Sequence, residues 1–437
     1  MNSVFMSWNT RYKVKRFLRK SFSFVPISAI VAAMAAAPLI RWIDGQTQWQ
    51  LFGVGVEGAK SLVGTLPSAL LSLIVFSLSI ILLAVQLASS QYSARIIARV
   101  FEAPILKWTL GIFVFTHTYS LFALGRIEDR SPELPVLVAL LMNLISLALF
   151  LLLIQYVGQS FRPIKLLTVV AADTKQVIAA MFPAPYSPQS EAQEKDKDYW
   201  GKPCRCIKNN QKAGVFVAFD QTGLVELAAR QDCVVEFAVA VGEFVAEEQL
   251  FFRVHGAGAA SINEAALWRC VGLDVERTLD QDPAFGFRII VDVASKAVSP
   301  AINDPTTGVL AIDQLQHLLA LIGQRQIDNG IVKDLDGVVR IVYPSCDWKD
   351  YVALAVTEIR LYGNTSPQVT RRLQSMYDYL MQVLPASRAG VIEKERALLQ
   401  QTVEAAYGNK QDREIAAISD YLGFGDCRSG NDSRIRK

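Results

Sequence analysis

Four long apolar stretches constrain this chain more than any other feature. They run roughly over residues 22–40, 62–88, 105–124 and 134–157, and none carries Asp, Glu, Lys or Arg away from its ends. Each is about the 20 residues that a helix needs to cross a hydrocarbon core of ~30 Å. No comparable stretch follows Val157. Composition agrees: only 19% of the 437 residues are charged, against about 25% in an ordinary soluble domain.

The expected fold class is an α-helical membrane domain of four transmembrane helices followed by an α+β cytoplasmic domain. Boundaries follow from composition. A basic cytoplasmic N-terminus covers 1–21, the four-helix transmembrane domain 22–160, and a helical connector and linker 161–202. A β-rich module covers 203–260, a mainly helical domain 261–425, and a disordered tail 426–437.

Basic residues flanking the spans set the orientation. Arg11, Lys13, Lys15, Arg16, Arg19 and Lys20 precede the first span with no acid among them, and Arg95, Arg99 and Lys107 lie between the second and third. The other loops hold Arg41 and Lys60, then Arg126 and Arg130 diluted by Glu128, Asp129 and Glu133. The expected location is the bacterial inner membrane, multi-pass, with both termini cytoplasmic. A net charge of +3 argues against a dedicated nucleic-acid binder.

The spans lack the carboxylates on which a proton-coupled transport cycle usually relies. His117, within Thr116-His117-Thr118-Tyr119-Ser120, is the one ionisable candidate, either a proton- or ligand-sensitive group or a neutral imidazole bonded to a neighbouring helix. Thr65, Ser72, Ser79, Gln86 and Ser93 recur every seven residues along the second span. Seven residues are close to two turns, so these side chains form a narrow polar stripe. Such a stripe must face protein or water, as a pore lining or a helix-packing seam.

Beyond the linker, residues 213–254 show the period of strands. The turn at Gly242-Glu243-Phe244-Val245 looks like part of a barrel-sandwich hybrid, the lipoyl- or biotinyl-carrier fold. No lysine occurs between Lys212 and Lys296, so such a module is not a carrier. Val338–Tyr343 reads as a strand, and helices are expected over 348–361, 367–384 and 392–406. Asp282-Pro283 and Asp304-Pro305 read as helix starts, with the carboxylate capping and proline in the first turn.

Arg277, Thr278, Gln281, Asp282, Asn303, Asp304 and Thr306 form a candidate cytoplasmic polar cluster. On a helix or tight turn Arg277 and Gln281, four apart, face the same way. Arg277 is the natural cation for Asp282 or Asp304, and the sequence leaves open which. The cluster is either a buried brace or a site for a ligand. No phosphate-binding glycine loop, metalloprotease helix or nucleophile elbow is present. Catalytic residues, metal ligands and cofactors are therefore expected to be none, and the chain is read as not an enzyme.

Three motifs together resemble a family of bacterial predicted membrane proteins called domain of unknown function 2254. They are Ser79-Ile80 through Gln86-Leu87-Ala88-Ser89-Ser90-Gln91-Tyr92-Ser93, then Glu276-Arg277-Thr278-Leu279-Asp280-Gln281-Asp282-Pro283, then Ser299-Pro300-Ala301-Ile302-Asn303-Asp304-Pro305-Thr306-Thr307. Ala94 stands where the family pattern leads us to expect proline. The resemblance implies a four-span inner-membrane protein and brings no established activity. The expected function is a homo-oligomeric channel or pore-type protein gated or assembled by its cytoplasmic domain. The alternative is a membrane-anchored sensor or scaffold without transport activity. The expected partners are the lipid bilayer and further copies of the chain.

Overall fold

A computed structural model describes residues 7–47, 56–91, 103–125, 133–160, 162–188, 203–327 and 330–420. The stripe residue Ser93 and the expected tail at 426–437 lie outside the described residues. The chain divides into two compact units, one of residues 15–165 and one of residues 1–14 with 166–437.

The unit of residues 15–165 is helical and takes in the last residues of α1 (Trp8–Lys20), then α2 (Phe24–Thr47), α3 (Val56–Gln91), α4 (Pro104–Leu124) and α5 (Glu133–Ser160). Among the described residues three helices are long and apolar enough to cross a membrane: α2, α3 and α5. Helix α4, expected as the third of four spans, is not among them; it holds Lys107 and the polar run Thr116–Ser120. Its packing compensates. Ten of its 21 residues are buried, and it packs against α2, α3 and α5. Gly111 lets α2 approach closely, since a Cβ there would sit 2.7 Å from Val25. The surrounding helices turn Val75, Leu82, Leu144 and Leu151 outward, as lipid-facing side chains require.

Helix α6 (Pro163–Met181) follows, and the second unit contains both sheets and helices. Its strands are β1 (Arg205–Lys208), β2 (Gly214–Phe219), β3 (Val234–Phe237), β4 (Phe244–Val245), β5 (Leu250–His255), β6 (Val271–Asp274), β7 (Ile331–Lys333) and β8 (Val339–Val342). They form a five-stranded sheet, β1-β5-β3-β8-β7, and a three-stranded sheet, β4-β2-β6. The β3–β8 pair is parallel, so the β-rich region reaches past residue 260 to take in β6 and the β7–β8 hairpin. The barrel-sandwich expectation therefore goes no further than a two-sheet module. Phe216, Phe219, Phe237, Phe251, Phe252 and Trp268 fill its core, with ring centroids such as Phe251–Phe252 only 4.7 Å apart.

One helix interrupts the stretch expected to be all strand: α7 (Gln221–Arg230). Asp220 caps it by accepting a 3.1 Å hydrogen bond from the Gly223 amide, and Leu224 and Ala228, one turn apart, face the core. A short helix α8 (Glu264–Arg269) precedes β6. The helical part consists of α9 (Pro283–Ala297), α10 (Pro305–Gly323), α11 (Trp348–Tyr362), α12 (Pro367–Val383), α13 (Ala386–Ala406) and α14 (Lys410–Ala417). Eleven of the fifteen residues of α9 are buried, and it packs on α10 and α11.

Candidate functional site

Two of the motifs read from the sequence bracket α9. The first forms the loop from β6 into its N-terminus. Asp282 accepts a 3.1 Å bond from the Phe285 amide, and Pro283 occupies the first turn, where its missing N–H is no loss. Arg277 reaches forward to the same carboxylate, Nε donating to Oδ2 at 2.6 Å and Nη2 to Oδ1 at 3.2 Å. Its guanidinium also lies 5.4 Å from the Phe285 ring centroid. The aspartate left undetermined by the sequence is thus Asp282.

Gly242 makes room for this pair. It has φ +96°, and a Cβ there would fall 2.5 Å from both Arg277 Nε and Asp282 Oδ2. Arg277 and Gln281 lie in an irregular loop and address different partners. Gln281 donates to the Phe219 carbonyl and accepts from the Phe219 amide, both at 2.9 Å, extending the end of β2 as a neighbouring strand would. The Thr278 hydroxyl is buried and has no hydrogen-bond partner among the described residues.

Burial pushes the Asp282 carboxyl above its ordinary range, against the opposing pull of Arg277. Burial also raises the Cys346 thiol to about 11, with Asp350 and Asp282 adding to the effect. The phenol of Tyr351 is held well above its usual range, again chiefly by burial. Burial thus works against ionisation at all three groups beside the start of α9, and at Asp282 the paired Arg277 opposes it. The arrangement serves as an anchor better than as a set of acids and bases.

The second motif closes the far end of α9. Asn303 takes φ +52°, its amide bonds Ser299 O at 2.8 Å, and the Asp304 amide bonds Ala297 O at 2.8 Å. Asp304 then caps α10 through the Thr307 amide at 3.1 Å and the Thr307 hydroxyl at 2.5 Å. Asn303 and Thr306 are exposed. The seven residues therefore divide between the two ends of one helix.

Sequence reasoning missed three further contacts, two made by the N-terminal segment and one at this helix. The Tyr12 hydroxyl donates a 2.6 Å bond to Asp280, and Ser7 donates to the Arg269 carbonyl at 3.2 Å. Thr174 of α6 packs on Gly286 of α9 so closely that a Cβ there would lie 1.9 Å from its hydroxyl. Tyr12 precedes α2 and Thr174 follows α5. Both chain connections to the membrane-type helices are therefore fastened beside the start of α9.

Within the helical unit, His117 Nδ1 lies 3.1 Å from the Pro67 carbonyl, so α4 is bonded to α3. Ser146 of α5 donates to Thr116 at 3.2 Å, and Tyr119 donates to Pro135 O at 3.2 Å. Thr65, Ser72 and Ser79 bond carbonyls of their own helix, Leu62, Ser68 and Val75, at 2.9–3.0 Å. With Gln86 they are exposed. A separate cleft of about 450 Å³ in the other unit is lined by Ser7, Trp8, Asp220, Arg230, Arg269 and Cys270 among others. None of the seven cluster residues lines it. Among the described residues no group of three or more His, Cys, Asp and Glu gathers to hold a metal ion.

Residues 19–379 match the family described as predicted membrane protein, domain of unknown function 2254. The chain belongs to this family. Two relatives, uncharacterised proteins of Mycobacterium bovis and Mycobacterium tuberculosis, are each 23% identical over 434 residues, covering 93% of this chain and 81% of theirs. No solved structure matches. The family match spans the membrane-type helices, both sheets and α9 to α11, and runs into α12, so both motifs at the ends of α9 lie inside it.

Proposed function

We propose that this member of the family is a homo-oligomeric channel or pore-type protein of the bacterial inner membrane, assembled or gated by its soluble unit. The observation that carries this reading is the outward face of α3. Thr65, Ser68, Ser72, Ser79 and Gln86 are exposed there, while Ala59, Val63, Leu70, Ser77 and Ile81 on the opposite side are buried. Hydroxyls bonded to their own helix lower the penalty of lipid exposure without abolishing it. A second copy or a water path relieves the remainder. The junction at α9 supplies the mechanical link, and we assign the chain no catalytic role.

Four crossings fit the connectivity. Residues 1–14 share one compact unit with 166–437, which favours an even number of crossings between them. With α2, α3 and α5 apolar enough, α4 is our choice for the fourth. The basic residues before α2 favour the cytoplasmic side for both termini.

Cysteine accessibility tests the reading. Ser72→Cys, Ser79→Cys and Gln86→Cys should react with membrane-impermeant thiol reagents above the background of the native cysteines. Leu71→Cys and Leu78→Cys, about a quarter-turn round the helix, should not. Reaction at neither set, together with no conductance in reconstituted bilayers, would overturn the pore. The sensor alternative draws support from the cleft beside Trp8 and predicts ligand binding without conductance.

A further inference from the structure

Helix α1 has two unlike faces. Trp8, Asn9, Tyr12 and Arg16 share one side at helical spacing. Asn9 donates to the Trp268 carbonyl at 3.5 Å, Tyr12 bonds Asp280, and Arg16 is buried. Val14, Phe17 and Leu18 share the other side and are 43%, 65% and 43% exposed. Lys13 borders this apolar stripe on one edge, and Arg11 and Lys15 border it on the other; all three are exposed. No Asp or Glu precedes Asp44.

We propose that this outward face of α1 lies in the membrane interface and binds anionic phospholipid. Three large apolar side chains left in water are an unfavourable surface for a soluble helix. A stripe flanked on both edges by basic residues matches the depth profile of a bilayer surface: apolar groups go down among the acyl chains and the cations stay level with the headgroups. Continuity fixes the occupant. Helix α2, apolar enough to cross the bilayer, begins at Phe24, with three residues between it and the end of α1, so the stripe is delivered to the membrane surface by its own chain. Each Lys or Arg near an anionic leaflet contributes about a fivefold preference over neutral lipid. This inference does not require the pore reading, and it stands or falls separately from it.

Hydrogen exchange of the full-length protein in lipid nanodiscs tests it. The amides of residues 14–20 should exchange more slowly in discs of phosphatidylcholine with phosphatidylglycerol than in phosphatidylcholine alone, and high salt should narrow the difference. The double variant Lys13→Gln, Lys15→Gln should lose about 25-fold of that preference, two charges at about fivefold each. An unchanged exchange pattern of α9 in the same variant shows that the fold is intact. Equal exchange in the two discs, unaltered protection in the double variant, or equal protection by inorganic phosphate in neutral discs would each overturn the proposal.

Discussion

The hydroxyl of Tyr12 and the carboxylate of Asp280, 268 residues apart in sequence, meet at 2.6 Å. Asp280 adjoins Gln281, which clamps β2, and Asp282, which caps α9. A tether on the N-terminal segment therefore pulls on the same loop that holds β2 and starts α9. Tyr12→Phe removes the bond and keeps the ring. The expected loss is about 1 kcal/mol, because the bond is exposed to solvent. Hydrogen exchange should quicken in residues 7–14 while α9 stays protected. Unchanged exchange in 7–14 would show that the tether carries no load.

Gly286 is the corresponding point for the chain leaving the membrane. In an exposed helix Gly→Ala stabilises by about 1 kcal/mol, yet here the new methyl meets Thr174. The overpacking should reverse the sign, giving a net destabilisation of about 1–3 kcal/mol by chemical unfolding. Adding Thr174→Ala should restore part of it by removing the hydroxyl and methyl that crowd the site. A stabilised single variant would contradict the packing described.

The Arg277–Asp282 pair predicts a pH signature. Arg277→Ala should destabilise by ~3 kcal/mol near neutral pH, the low end for a broken buried pair, since the Arg277 side chain is 34% exposed. Burial already raises the Asp282 carboxyl, and losing the arginine raises it further. A carboxyl whose folded pKa lies above its unfolded value stabilises most below the unfolded value, and that stability is lost as pH rises through the folded value. The deficit of the variant should therefore shrink on acidification. Asp304→Asn keeps a capping oxygen and should lose under about 1 kcal/mol. Equal losses in the two variants would join them into one brace; unequal, pH-dependent losses assign the anchor to Asp282.

Thiol chemistry separates the cysteines. Burial raises Cys346 and Cys270 to about 11, whereas Cys204 and Cys206 are exposed. The thiolate is the reacting form. In folded protein at pH 8, iodoacetamide should modify Cys204 and Cys206 first, with Cys346 and Cys270 following slowly, as read by peptide mass spectrometry. Denaturation should abolish the order.

Local chemistry accounts for what could be read in advance. Asp282-Pro283 and Asp304-Pro305 start α9 and α10 because a capping carboxylate and a fixed φ act within one turn. Helices α11 and α12 begin at Trp348 and Pro367 as expected, and the strand expected at 338–343 is β8. Helix α7 escaped because only Leu224 and Ala228 mark its buried side, too short a pattern to stand out between valine-rich strands. The choice of Asp282 over Asp304 was equally invisible: both cap helices, and only the fold of the loop over Gly242 brings Arg277 to one of them. Tyr12 and Thr174 carry no local signal at all, since their partners lie on distant segments.

The polar run that makes α4 a good centre for its bundle also makes it a poor signal for its own delivery. On the four-crossing reading, His117 and Tyr119 bond α3 and α5, and Thr116, which already donates to Ile112 of its own helix, accepts from Ser146 of α5. During synthesis the ribosome presents α4 before α5 exists, with its bonds to Ser146 and Pro135 still missing. The helix must wait at the translocation channel, or beside α3, until α5 emerges and the two enter the bilayer together. Chains truncated after residue 125 should leave α4 outside the lipid, and chains extended through Ser160 should recover it.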